Sequence, residues 1–222
     1  MRQNRFGFAL LAGLSVLALS TAAEAAPHSA ASAAAVDAGR AVTDVTAGPA
    51  AGKQIVDVGS PSQLPAAPAD GSAAAAPQAT TVTYRTPAFT NNHGGKCLDG
   101  DLNTINNDGA KVQLWSCNNW DNQSWYWTPA PGLPVGYYTI QNGHGWKCLD
   151  GDLNTINNDG AKVQLWGCNG WDNQTWYWTG STLQNSHGWK CLDGDLNTIN
   201  NNGAKVQLWG CNGWDNQAWT WH

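Results

Sequence analysis

The chain has 222 residues, enough for one ordinary domain with segments to spare. Its formal net charge of -5 and pI near 5.3 leave no basic footprint for nucleic acid. Only 12% of residues are charged, while tryptophan numbers 14 against three Phe and one Met. Water is therefore held by Asn, Gln, Thr, Ser and Gly, whose neutral donors and acceptors suit a neutral partner rich in hydroxyls.

Residues 1–25 read as a secretory signal peptide: Arg2 and Arg5 give a positive start, residues 6–19 are apolar, and Ala23-Glu24-Ala25 is a small-x-small cleavage site. That run falls short of the ~20 residues needed to span a bilayer, and no later stretch is long enough either. The mature protein is expected outside the cell, where disulfides are the normal state of cysteine. Residues 26–83 are built of Ala, Ser, Pro, Gly, Thr and Val without aromatic anchors. They read as a disordered linker or pro-segment. Within them Gln54-Ile55-Val56-Asp57-Val58 has the composition of a short strand, but nothing nearby in sequence offers it cover.

The folded part is expected at 84–222, in three repeats at about 86–128, 137–179 and 180–222. A stretch reading KCLDGDLNTINNDGAKVQLWGCNGWDNQTWYW at 147–178 recurs nearly unchanged at 96–127 and 190–221. Four short runs in the second copy have strand character: 138–142, 146–150, 162–166 and 175–178. Asn-Gly and Asn/Asp-rich turns separate them, and Gly and Asn interrupt each run before two helical turns can form. A period near 43 residues, three times over, calls for a closed threefold arrangement or a short solenoid. Three units of four strands fit an all-β β-trefoil better than a propeller, which needs about four or more blades.

Six cysteines allow 15 pairings, but each copy holds two at the same spacing. The expected bridges are Cys97–Cys117, Cys148–Cys168 and Cys191–Cys211. The short CxxC spacing that zinc prefers is missing.

Strand parity divides the labour inside a copy. Leu149, Val163 and Leu165 share the core face. Cys148, Asp150, Gln164 and Trp166 share the other, which gathers a carboxylate, an amide and an indole. A pyranose presents an apolar C–H face that stacks on indole, and hydroxyls that a carboxylate and an amide can bind.

The order CLD, then VQLWxC, then NQxW resembles the ricin-type β-trefoil lectin repeat, whose family includes carbohydrate-binding modules attached to xylanases. The resemblance covers about 84–222. It implies three sugar sites, each with an Asp, Gln, Trp and Asn that contact the sugar and a second Gln that braces the Asp. Carried over, these are Asp99, Gln113, Trp115, Asn122 and Gln123; Asp150, Gln164, Trp166, Asn173 and Gln174; and Asp193, Gln207, Trp209, Asn216 and Gln217. It also implies that Trp125, Trp176 and Trp219 belong to the core.

Other features extend or depart from that pattern. Trp127, Trp178 and Trp221 share parity with the core tryptophans and read as structural. Trp120, Trp171 and Trp214 sit among turn-formers, where a second sugar platform and loop packing are equally compatible roles. Gly95 stands where the other copies have Trp146 and Trp189. The DGDLNTINNDG loop reads as polar throughout. It opens like a calcium loop at Asp99 and Asp101, but has no Gly at the sixth position and Ala110 where a bidentate Glu belongs. A polar turn bracing the site is the favoured role, and calcium-assisted binding the alternative. His93, His144 and His187 read as turn residues. Asn122-Gln123-Ser124 and Asn173-Gln174-Thr175 match the N-glycosylation pattern.

The sole glutamate is Glu24, and glycosidase chemistry needs paired carboxylates flanking a bond. The expectation is a non-enzymatic, monomeric glycan binder without cofactor or metal. A trefoil protease inhibitor, acting through one exposed loop, is the other class.

Overall fold

A computed structural model describes residues 42–44, 54–57 and 82–221. The expected signal peptide lies outside the described residues, as does most of 26–83. Among the described residues, no helix is long and apolar enough to cross a membrane.

The structure is all-β. Two strands precede the repeats, β1 (Val42–Asp44) and β2 (Gln54–Asp57). The first repeat holds β3 (Val82–Thr86), β4 (Phe89–Asn91), β5 (Cys97–Gly100), β6 (Ala110–Trp115) and β7 (Trp125–Pro129). The second holds β8 (Tyr137–Asn142), β9 (Cys148–Gly151), β10 (Ala161–Trp166) and β11 (Thr175–Trp178). The third holds β12 (Leu183–Asn185), β13 (Cys191–Gly194), β14 (Ala204–Trp209) and β15 (Trp219–Trp221). In each repeat a 3-10 turn precedes the last strand: Asp121–Gln123, Asp172–Gln174 and Asp215–Gln217.

First and last strands of the repeats close a barrel. β7 pairs β3 and β8, β11 pairs β8 and β12, and β15 pairs β4. The Trp219 N–H donates to the Ser181 carbonyl at 2.8 Å, tying β15 to the chain just before β12. In the first repeat, Pro87 lacks the N–H a continuous strand would donate, and the strand is split into β3 and β4 around it. Three hairpins, β5–β6, β9–β10 and β13–β14, cap one end, and their second strands pair with one another in a triangle.

The parity reading of the core holds. Leu149, Val163 and Leu165 are buried, as are their counterparts in the other repeats. Trp125, Trp176 and Trp219 are also buried, and each indole N–H donates to the carbonyl of Leu98, Leu149 or Leu192 at 3.0, 2.8 and 3.0 Å. Trp127, Trp178, Trp221 and Phe89 fill the barrel, with ring centroids of Trp178 and Trp221 4.7 Å apart. The three bridges join Cys97 to Cys117, Cys148 to Cys168 and Cys191 to Cys211. With partners 20 positions apart in sequence, each contributes roughly 3 kcal/mol in the chain-entropy model.

Three expectations need correction. The short strand run at 54–58 does find cover: β2 pairs antiparallel with β1 and parallel with β3, and Ile55 and Val56 are buried. Their cover comes from residues about thirty positions onward, which a local reading does not see. The DGDLNTINNDG loop is not polar throughout, because Ile105, Ile156 and Ile199 are wholly buried and anchor it to the core. The second hairpin begins at Cys148 rather than Trp146. Trp146 and Trp189 have φ of +55° and +52°, left-handed turn positions that a bulky residue rarely adopts and that Gly95 fills at +60° in the first repeat. The face opposite the core is buried at Asp150 and Gln164 and exposed at Lys162 and Trp166.

Candidate functional site

Each hairpin places its Asp directly across from its Gln: Asp99 faces Gln113, Asp150 faces Gln164, and Asp193 faces Gln207. The following 3-10 turn brings in the adjacent Asn and Gln. In the first repeat Asp99 accepts from Gln113 Nε2 at 3.0 Å, Asn122 Nδ2 at 2.8 Å and Gln123 Nε2 at 2.8 Å. The same triad of amides holds Asp150 at 3.0, 2.8 and 2.9 Å and Asp193 at 3.0, 2.8 and 2.9 Å. Gln123 is fully engaged as a brace. Its Nε2 also donates to the Ser116 carbonyl at 3.1 Å, and its Oε1 accepts from the Asn118 N–H at 2.9 Å. Gln174 and Gln217 repeat this pattern.

The orientation of the site Asn follows from its partners. Asn122 Nδ2 donates to two acceptors, Asp99 Oδ2 and the Gly100 carbonyl at 2.9 Å, so both of its hydrogens are spent. What it has left to offer is Oδ1, which is buried and has no partner among the described residues. Asn173 and Asn216 are identical in this respect. A buried acceptor without a donor costs free energy. Here three copies of that acceptor await an O–H or N–H brought from outside.

Burial pushes the carboxyls of Asp99, Asp150 and Asp193 above the usual carboxylate range, against the opposing pull of their three amide hydrogen bonds. The second Asp of each loop has a different job. Asp101 Oδ1 accepts from the Asn103 backbone at 3.2 Å and side chain at 3.0 Å, which shapes the polar turn. Asp152 and Asp195 do the same.

Above this floor the first site opens as a cleft of about 610 Å³, and the third as one of about 600 Å³. Trp115 and Trp120 both line the first, exposed by 39% and 59%. Trp209 and Trp214 do so in the third. Trp166 and Trp171 of the second repeat are exposed to the same degree as their counterparts.

No repeat completes its own site. Asn202 and Gly203 of the third repeat line the first cleft, and Lys111 Nζ donates to the Gly203 carbonyl at 3.1 Å. Asp159 and Gly160 of the second repeat line the third cleft, where Lys205 Nζ reaches the Gly160 carbonyl at 3.2 Å. Lys162 Nζ meets the Gly109 carbonyl at 3.3 Å, so the first repeat serves the second site in turn. Gly203 sits at φ +82°, a backbone conformation that side chains rarely adopt. The site Asn is also held from the next repeat: buried Asn142 donates Nδ2 to the Asn122 carbonyl at 2.8 Å, and Asn185 and Asn91 do the same for Asn173 and Asn216. His93, His144 and His187, expected as turn residues, each place Nδ1 within 2.8–2.9 Å of an aspartate in the 3-10 turn of another repeat, Asp215, Asp121 and Asp172 respectively. Sequence reasoning missed the lysines, the lent loops and the anchoring asparagines. Their only signal was recurrence at the same place in each copy.

The family model for ricin-type β-trefoil lectin domain-like sequences matches residues 78–166 and 121–209, which together span more than half of the chain. Among solved structures, the designed three-fold symmetric protein ThreeFoil is 31% identical, with a TM-score of 0.55. That match covers 62% of this chain and 98% of ThreeFoil. An exo-β-1,3-galactanase from Clostridium thermocellum is 25% identical over 65% of this chain, with a TM-score of 0.53, but the match spans only 30% of the galactanase chain. A ricin B-like lectin of Macrolepiota procera, solved with lactose, shares the fold at 17% identity and a TM-score of 0.51, over 62% of this chain and 93% of its own. No curated protein sequence matches.

Proposed function

The chain belongs to the ricin-type β-trefoil lectin domain-like family, and from that membership and the geometry of its clefts we propose that it is an exported, non-enzymatic carbohydrate-binding protein with three sites of the same construction. The observation that carries this reading is the buried, unpartnered Oδ1 of Asn122, Asn173 and Asn216, each beside a carboxylate. Two adjacent acceptors below an indole suit vicinal hydroxyls on a ring whose C–H face stacks on Trp115, Trp166 or Trp209. Clefts near 600 Å³ fall within the ~300–1,000 Å³ range of pockets that enclose ligands larger than one ring. In this reading Trp120, Trp171 and Trp214 serve as second platforms. The ligand is a neutral glycan of the galactose or xylan type. Residues 1–25 direct export, 26–83 connect, and 84–222 bind. Three disulfides support an oxidising destination. The second Asp of each loop is turned into its own turn, which supports binding without hydrolysis.

Replacing Trp115, Trp166 and Trp209 together by Ala should abolish retention on immobilised galactan and xylan. Because these side chains are partly exposed, near-UV circular dichroism should still report a folded barrel. Retention by the folded triple variant would place binding elsewhere. A glycan array run with and without EDTA identifies the sugar and separates this reading from calcium-assisted binding.

A further inference from the structure

The three clefts differ at one lent residue. The loop that closes sites 2 and 3 ends in Asn-Asn-Asp-Gly, whereas the loop that closes site 1 ends in Asn-Asn-Asn-Gly. At site 3, Asp159 Oδ1 accepts from Lys190 Nζ at 2.7 Å and from the Gly210 N–H at 2.8 Å. At site 2, Asp108 does the same with Lys147 and Gly167. At site 1 the equivalent position is Asn202, whose Oδ1 accepts from Lys96 Nζ at 3.1 Å and from both N–H and Oγ–H of Ser116 at 2.9 Å. Those donors fix the amide, so an NH2 group stands where Asp159 has its second carboxylate oxygen.

The charge around each cleft follows. Site 1 sets two lysines, Lys96 and Lys111, against two aspartates, Asp99 and Asp101. Site 3 sets Lys190 and Lys205 against three, Asp193, Asp195 and Asp159. Resting on the carbohydrate reading above, we infer that site 1 is the acidic-sugar site of the molecule: its rim, where Lys96 faces an amide rather than a carboxylate, accepts a saccharide bearing a uronate carboxylate that sites 2 and 3 disfavour. The uronate would take the place at Lys96 that Asp159 takes at Lys190, with the Asn202 NH2 as a second donor.

Two single-site chains test this. W166A/W209A keeps site 1, and W115A/W166A keeps site 3. Each is titrated calorimetrically with neutral xylo- and galacto-oligosaccharides and with their uronate-bearing counterparts. The uronate-to-neutral affinity ratio should be roughly three- to tenfold higher at site 1 in low salt, as one unit charge across a wet rim would give, and the gap should narrow with added salt. Adding N202D to the first chain should bring its ratio down to that of site 3, and adding D159N to the second should raise it. Equal ratios at two sites that both bind, or ratios unmoved by N202D and D159N, would overturn the inference while leaving the carbohydrate reading intact. Failure of both folded chains to bind either class of sugar would overturn that reading and this inference with it.

Discussion

At the residue scale the buried aspartate is the centre of each site. Burial raises the carboxyls of Asp99, Asp150 and Asp193, so the folded state favours their protonated form. Their contribution to stability is full below the unfolded value and is lost as pH rises through the folded one. Acid therefore does not strain the fold through these three groups. Asp108 and Asp159 behave oppositely: hydrogen bonds from Lys147 and Lys190 lower them, and what they contribute is lost as pH falls through their folded values. In the proposed reading, the carboxylate form is the acceptor that a sugar hydroxyl meets. Glycan affinity should thus fall in mild acid, at a pH above that at which an exposed aspartate protonates, while near-UV circular dichroism is unchanged. Affinity that holds until the barrel itself melts would contradict this account. Three members of the set were visible in the sequence because strand parity puts Asp150, Gln164 and Trp166 on one face. The orphaned Asn173 Oδ1 was not, because it depends on which two acceptors consume the amide hydrogens.

At the scale of elements, the hairpin and its 3-10 turn are held from the next repeat. Asn142 belongs to the second repeat, yet it donates to the Asn122 carbonyl at 2.8 Å and accepts the His144 N–H at 3.0 Å. Replacing Asn142 by Ala should cost about 1–3 kcal/mol in denaturant unfolding, the penalty of leaving buried polar groups unpaired. It should also weaken the first site more than the second, as read by titrating single-site chains. Weakening confined to the second site would contradict the anchoring role. The strand runs were readable from alternation and turn residues. The left-handed Trp146 and Trp189 were not, since a bulky residue at positive φ runs against backbone preference and only the surrounding turn sets it there.

For the molecule as a whole, threefold closure puts three copies of the hairpin and its 3-10 turn on one body, the proposed three sites. A single site with one stacked ring and a few hydrogen bonds should bind on the order of millimolar. Three sites engaging one polymer should gain about 10²–10⁴-fold in avidity where spacing permits. Comparing the full chain with a single-site chain on immobilised polysaccharide should show that difference. The same pair should differ little per site on a short oligosaccharide in solution. An equal loss on both ligands would mean that the tryptophan substitutions damage the remaining site rather than remove valency.

The sequence by itself determined the triplicate, the disulfide partners and the core face of each hairpin, from recurrence between the copies and alternation within each. The Asp-Gln-Trp-Asn set came with the family resemblance. Only the tertiary structure decided that Asp150 and Gln164 form a buried floor, that β2 finds cover beside β3, and that each cleft is walled by another repeat. Lys111 and Gly203 stand 92 residues apart and meet because the hairpins pair in a triangle. Alternation along a strand reports which way a side chain points. It carries no information on which distant loop will close over it, and that choice is made by the register in which the barrel shuts.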